Sequence, residues 1–280
     1  MRELKTSAIT EAVKKLCMDA NYHLGEDVVR RLDQCLQTEE SPAGKNVLAK
    51  ILENAGIAEA EAFPLCQDTG FALVFAELGQ DLRVTGGDFN AAIQEGVRQG
   101  YREGYLRKSI VDDPLRRKNT GDNTPAVIHM ELVPGDRLKL VVAPKGAGSE
   151  NMSEVKMLLP AAGVEGVKAF VVDRVRRSGA NPCPPVVVGV GLGGTFEKCA
   201  LIAKKALLRP IGSRHPDPFY ARLEEDLLRE INGLGIGPQG FGGRCTALDV
   251  MIEVFPCHIA SLPVAVNMQC HAARHRETVL

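Results

Sequence analysis

In Pro64-Leu65-Cys66-Gln67-Asp68-Thr69-Gly70, a cysteine is followed at once by an amide, a carboxylate, a hydroxyl and a glycine. The thiolate is a soft metal ligand. Its polar neighbours can bind or protonate a small acid, and the glycine frees the backbone to turn. Two more cysteines stand in equally unusual settings, Asn181-Pro182-Cys183-Pro184-Pro185 and Asn267-Met268-Gln269-Cys270-His271. None of the three lies on a periodic apolar face, and prolines keep Cys183 out of an ordinary helix interior. Three isolated thiolates can hold an iron–sulfur cluster and leave one iron without a protein ligand, open as a Lewis acid. The plain alternative is that each is a small buried hydrophobe, the commonest fate of a cysteine.

Cys17, Cys35 and Cys199 fall inside helical patterns and are expected in the core. Cys245 and Cys257 lie in strand-like contexts and fit either role. No C-x-x-C pair is present, which argues against a zinc ribbon or a thioredoxin-type site. The run Gly189-Val190-Gly191-Leu192-Gly193-Gly194 follows a strand pattern and precedes a helix. It lacks the G-x-G-x-x-G spacing, so a close strand-to-helix turn is expected there rather than a nucleotide cradle. G-x-S-x-G, H-E-x-x-H and a Walker lysine are all missing, which leaves serine hydrolase, zincin and P-loop chemistry without local support.

The elements that must position these residues are legible from periodicity. Residues 5–60 read as all helical, with Ile9, Val13, Leu16 and Ala20 on one stripe. Val28, Val29, Leu32 and Leu36 form a second stripe, and Val47, Leu48, Ile51 and Leu52 a third, closed by Gly56. Strand signals begin after Cys66, first at Phe71 to Leu78. Asp88 is expected to cap a helix carrying Ile93, Val97 and Tyr101. Ala126–Val133 and Leu138–Ala143 flank Pro134-Gly135-Asp136 and read as a hairpin. Lys145 to Asn151 reads as a glycine-rich polar loop. Further helices are expected near 164–178, 195–208 and 217–232, and strands at Val186–Val190 and near 246–255 and 259–266. The fold class is therefore α/β, a mixed α+β arrangement. A helical N-terminal segment, 1–60, precedes an α/β region, 61–280, of mixed sheets flanked by helices.

Of the 280 residues, 45% are hydrophobic, enough for a large core. With no Trp and 5% aromatics, that core must rest on Val, Leu, Ile and Ala. The 34 basic and 35 acidic side chains balance to a net charge of −1, so neither nucleic acid nor an anionic membrane is an expected partner. Arg174, Arg176 and Arg177 read as a solvated helix face. The opening Met1-Arg2-Glu3-Leu4-Lys5 is charged, with no apolar run behind it, and is expected not to be a secretory signal. No stretch approaches the ~18 apolar residues of a membrane span. The eight cysteines are accordingly expected to be cytoplasmic thiols rather than a disulfide framework.

Several long runs, in order, resemble the alpha subunit of the two-subunit class I fumarases and the related L-tartrate dehydratases. They are Pro64 to Gly70, Gly121-Asp122-Asn123-Thr124-Pro125-Ala126, Pro144-Lys145-Gly146-Ala147-Gly148-Ser149-Glu150-Asn151, Gly189 to Glu197 and His258 to Asn267. The resemblance implies an oxygen-sensitive hydro-lyase that reversibly hydrates fumarate to L-malate. It implies a 4Fe–4S cluster on Cys66, Cys183 and Cys270, with Cys257 the one rival for the third place and both Cys245 and Cys257 expected to be structural. It implies proton handling by Asp68 and His258, and carboxylate recognition by Gln67, Arg107 and the Gly148 amide. His129 is expected to be structural, and His271 and His275 to lie in a basic tail, solvated or at an interface. Such a chain needs a separate beta subunit to complete its site, and an alpha homodimer or α2β2 assembly is expected. The alternatives are an L-tartrate dehydratase alpha subunit, a non-catalytic iron–sulfur sensor or electron carrier, and a cluster-free scaffold subunit.

Overall fold

The structure is a computed structural model that describes residues 2–280. In chain order the elements are β1 (Arg2–Lys5), α1 (Thr6–Tyr22), α2 (Glu26–Thr38), α3 (Pro42–Glu61), β2 (Phe71–Gly79), β3 (Leu82–Thr85), α4 (Phe89–Glu103), β4 (Val127–Val133), β5 (Leu138–Lys145) and α5 (Ala147–Glu150). There follow β6 (Glu154–Leu158), α6 (Gly163–Ser178), β7 (Val186–Gly193), α7 (Phe196–Ala206), α8 (Pro218–Asn232), β8 (Ala247–Phe255), β9 (Leu262–Gln269) and β10 (Arg276–Val279). Helices and mixed sheets together bear out the α/β reading. The N-terminal segment is not purely helical, because β1 pairs in parallel with β3. Helix α3 also runs past Gly56 to Glu61, an exposed turn in which a glycine is tolerated at modest cost. No helix is long and apolar enough to cross a membrane.

The chain divides into two compact units. The first comprises the stretch to Leu24, Ala55–Ala147 and Arg274–Leu280; the second comprises Gly25–Asn54 and Gly148–Ala273. In the first, a four-stranded sheet has the order β10-β5-β2-β4. Ala72, Val74 and Ala76 of β2 and Leu138, Leu140 and Val142 of β5 share one core with Ile9, Val13, Ile93 and Val97 of the helices α1 and α4. Asp88 caps α4 as expected, its Oδ1 accepting the Ala91 amide at 2.7 Å. The expected hairpin does not form: β4 and β5 lie on either side of β2, β4 parallel to it and β5 antiparallel. The intervening turn straddles the end of β2, where Gly79, Gln80 and Asp81 donate to the carbonyls of Arg137, Val133 and Gly135. A Cβ on Gly79 would lie 2.5 Å from the Gly135 oxygen, so this crossing needs glycine.

In the second unit the sheet order is β6-β9-β7-β8, with β8 parallel to β7 and β9 antiparallel to it. Strand β7 is two-faced. Val186, Val188, Val190 and Leu192 meet α6 and α8 through Val171, Val175, Leu227 and Ile231. Gly189 and Gly191 leave the other face flat for α7, where a Cβ at either would overlap a helix carbonyl, that of Ala203 or Cys199. The glycine run is thus mostly strand, not turn, and its glycines serve close packing. Arg174 is no solvated cation either, since it is half-buried and pairs with Glu154 of β6 at 3.1 Å.

The expectation of eight thiols is corrected within this unit. Cys35 lies on the buried face of α2 with Val28 and Leu32, and it is disulfide-bonded to Cys245, with Cα atoms 6.0 Å apart. Beside the bond sits Glu39, 2% exposed, whose carboxylate accepts the amides of Glu40, Ser41, Arg244 and Cys245. Burial alone would raise this carboxyl; the four backbone donors outweigh it and hold it below the usual range.

Candidate active site

In the first unit, the turn after α3 presents Cys66, Gln67 and Asp68. Cys66 is half-buried and its Sγ accepts the Asp68 amide at 3.4 Å. Gln67 is exposed, its Oε1 3.4 Å from the same sulfur. Asp68 is fixed at both oxygens, Oδ1 taking the Gly70 amide at 3.1 Å and Oδ2 the Ala147 amide at 2.8 Å. Asp68 therefore closes the turn before Gly70, and each oxygen retains a lone pair for a further partner. Gly70 must be glycine: its φ is +78° and a Cβ would sit 2.7 Å from the Lys145 backbone.

The backbone behind this turn is held from several sides. Tyr101, fully buried, donates its hydroxyl to the carbonyls of Thr69 and Gly70 at 2.8 and 3.0 Å. Asn123, also fully buried, donates to Gly70 at 3.1 Å and accepts the Ser109 amide at 2.7 Å. Asp122 anchors that Asn123 segment. Burial pushes its carboxyl up, but hydrogen bonds from the Thr124 hydroxyl and amide and from Arg98 prevail and hold it down to about 2. The run Gly121 to Ala126 is thus a brace for the cysteine turn. Thr69 donates to the Arg107 carbonyl at 3.1 Å, which seats the Arg107 segment beside the turn with its side chain exposed. His129 stacks on Phe75, ring centroids 5.0 Å apart.

The second unit carries Cys183, exposed and at φ +57°, and Cys270, half-buried just after β9. Their segments meet, since the His271 amide donates to the Cys183 carbonyl at 3.3 Å and the His271 Nδ1 lies 3.1 Å from the same oxygen. His271 is thus half-buried in a contact rather than loose in a tail. Gln239 braces the pair, its Nε2 lying 2.8 Å from the Pro184 carbonyl and 3.1 Å from the His271 Nδ1. The Asn181 carbonyl lies 3.6 Å from where a Gly148 Cβ would stand, so the Gly148 turn adjoins the Cys183 segment. His258 is exposed, and its Nδ1 accepts the Ala260 amide at 3.1 Å, which leaves Nε2 as the protonated nitrogen. Cys257, the rival ligand, is exposed, donates to the Ser261 carbonyl at 3.3 Å and borders an apolar cavity of about 320 Å³.

The remaining thiols differ in kind. Burial pushes Cys17 and Cys199 up to about 12, so both stay protonated and inert. Among the described residues, no three His, Cys, Asp or Glu side chains are grouped to hold a single metal ion. Sequence reasoning missed Tyr101, Asn123, Gln239 and Arg274. Arg274 is 5% exposed and donates from Nη2 to the Asp68 carbonyl at 2.6 Å. Its signal was its place just after the third unusual cysteine, where it read as one more charge of a basic tail.

Comparison with known proteins shows the family of the chain. The family model described as fumarate hydratase (fumerase) matches residues 10–279. A protein of Methanocaldococcus jannaschii, provisionally named L(+)-tartrate dehydratase subunit alpha, is 45% identical over 272 residues, covering 95% of each chain. The L(+)-tartrate dehydratase subunit alpha of Escherichia coli O157:H7 is 35% identical over 283 residues, covering 100% of this chain and 92% of its own. Its counterpart in strain K12 is 34% identical over 282 residues, with the same coverage. With its cysteine turn, its brace and nearly its whole length inside that match, the chain belongs to the fumarate hydratase family.

Proposed function

We propose that the chain is the iron–sulfur-bearing alpha subunit of a hydro-lyase that reversibly hydrates fumarate to L-malate, with a beta subunit completing its site. The observation that carries this is the Cys66 turn. A thiol that accepts a backbone amide sits two residues from a carboxylate held at both oxygens, with an exposed amide between them and the backbone of Arg107 bonded to Thr69 of the same turn. Family membership supports the reaction class, hydro-lyase.

The residues fit a thiolate-held cluster. Cys66, Cys183 and Cys270 are outside any disulfide and outside the apolar cores, and the segments of Cys183 and Cys270 are joined through His271. These three would be the ligands. When bound, a 4Fe–4S cluster with one iron lacking a protein ligand supplies a Lewis acid for the substrate hydroxyl. Asp68 would exchange the proton of the attacking water or leaving hydroxyl, since its fixed oxygens each keep a lone pair. The Nε2–H of His258 would donate to the same hydroxyl. Arg107 would clamp one carboxylate bidentately, and the Gln67 amide and Gly148 N–H would bind the other. Removing the carbon-bound proton needs a base that the beta subunit would supply, so this chain alone would show little activity.

A second reading is tartrate dehydration, which the names of the relatives favour. Both reactions expel a hydroxyl next to a carboxylate, and the residues above serve either.

The test is iron and acid-labile sulfide content, with electron paramagnetic resonance, on protein purified without oxygen. About four irons per chain are expected, lost in Cys66→Ala, Cys183→Ala and Cys270→Ala and kept in Cys257→Ala. Mixing with the beta subunit and offering fumarate, malate and tartrate then ranks the substrates. A chain that binds no iron and cannot be reconstituted would sink the proposal.

A further inference from the structure

Arg274 is the one buried arginine among the described residues, and it lacks a carboxylate partner. Its Nη2 is satisfied by the Asp68 carbonyl, but Nε and Nη1 are buried with no hydrogen-bond partner. No ion pair joins it to the Asp68 carboxylate, whose two oxygens accept the amides of Gly70 and Ala147. The nearby hydroxyl of Tyr101 is spoken for by two carbonyls and stays neutral, burial pushing it far above its usual range while Arg274 opposes that push. A guanidinium is always charged, and an uncompensated buried charge is among the costliest features a fold can carry. Two buried nitrogens whose N–H groups are left unused on such a cation ask for an anion.

Arg274 holds the backbone two residues beyond Cys66 and follows Cys270 by four residues. We propose that Arg274 is the counter-cation of the thiolate-bound cluster, an unused N–H donating to the cluster's anionic sulfur. This rests on the reading of Cys66 and Cys270 as cluster ligands given above. Three thiolates leave such a cluster net negative, and one buried cation would offset that charge while fixing the turn that carries Cys66. Arg274 is then a cofactor-binding residue whose cost to the empty protein is repaid on loading.

The proposal fixes opposite signs for two measurements on Arg274→Met, a neutral side chain of similar length. In the cluster-free chain, thermal melting should be unchanged or raised, because an uncompensated charge has gone. In the anaerobically loaded chain, iron and sulfide should be released at least ~10-fold faster and the cluster potential should fall, with Arg274→Lys between the two. If Arg274→Met lowers melting of the cluster-free chain and leaves iron release and potential unchanged, Arg274 is a structural brace and the proposal fails. If it fails to fold, Arg274→Lys decides: faster release at unchanged melting supports the proposal, and unchanged release overturns it. Loss of dicarboxylate binding with iron release unchanged would make substrate the anion and also overturn it. Wild-type protein that takes up no iron would fail the ligand assignment itself, an outcome read before any Arg274 variant is made.

Discussion

At the scale of single residues, the turn from Cys66 to Gly70 is restrained at its carboxylate and along its backbone. Asp68 is fixed by two amides, and the backbone behind it by Tyr101 and Asn123. That restraint extends to Asp122, which is held down to about 2 against an ordinary 3.8. Its contribution to stability is complete above the unfolded value, near 4, and is lost as pH falls through about 2. Acid unfolding followed by circular dichroism should therefore show a loss between those values that Asp122→Asn lacks; identical profiles would refute the brace. The turn itself was legible because Gly70, after an amide, a carboxylate and a hydroxyl, frees the backbone to reverse. Arg274 was not legible, because burial decides its meaning and nothing in a run of basic residues reports burial. The same holds for Cys35, whose helical stripe was read correctly while its partner 210 residues away was invisible.

At the scale of elements, most helices and the two-faced strand were readable, since periodicity reports which face is covered. The hairpin failed because a Pro-Gly-Asp turn between two strand patterns signals only that the chain reverses. It does not say that a third strand, β2, will lie between the two arms. The glycines of β7 were likewise visible, but their purpose depends on how closely α7 approaches. Gly191→Ala would drive a methyl into the Cys199 carbonyl and to 2.8 Å from the Ala203 nitrogen. We expect it to cost about 1–3 kcal/mol in denaturant unfolding, without altering the iron content of the chain that does fold. An unchanged midpoint would mean that α7 shifts freely on the sheet.

At the scale of the whole molecule, both units are assembled from separated stretches of chain, an arrangement that composition and local pattern do not encode. The Cys35–Cys245 bond joins two residues of the second unit that are separated by 210 positions in sequence. Constraining so long a loop in the unfolded chain stabilises by at most about 5 kcal/mol. Thiol titration of the denatured, unreduced chain should find six thiols of the eight cysteines. Dithiothreitol, or Cys35→Ser, should lower the melting temperature; eight titratable thiols and an unmoved transition would remove the bond from the account.

The placement of β10 carries a further consequence. It is the edge strand that covers β5, yet its residues 276–279 are made more than a hundred residues after β5. During synthesis the β5 edge stays open on the ribosome while the second unit is translated. An open edge invites pairing with other chains, so the first unit matures only after the last strand emerges.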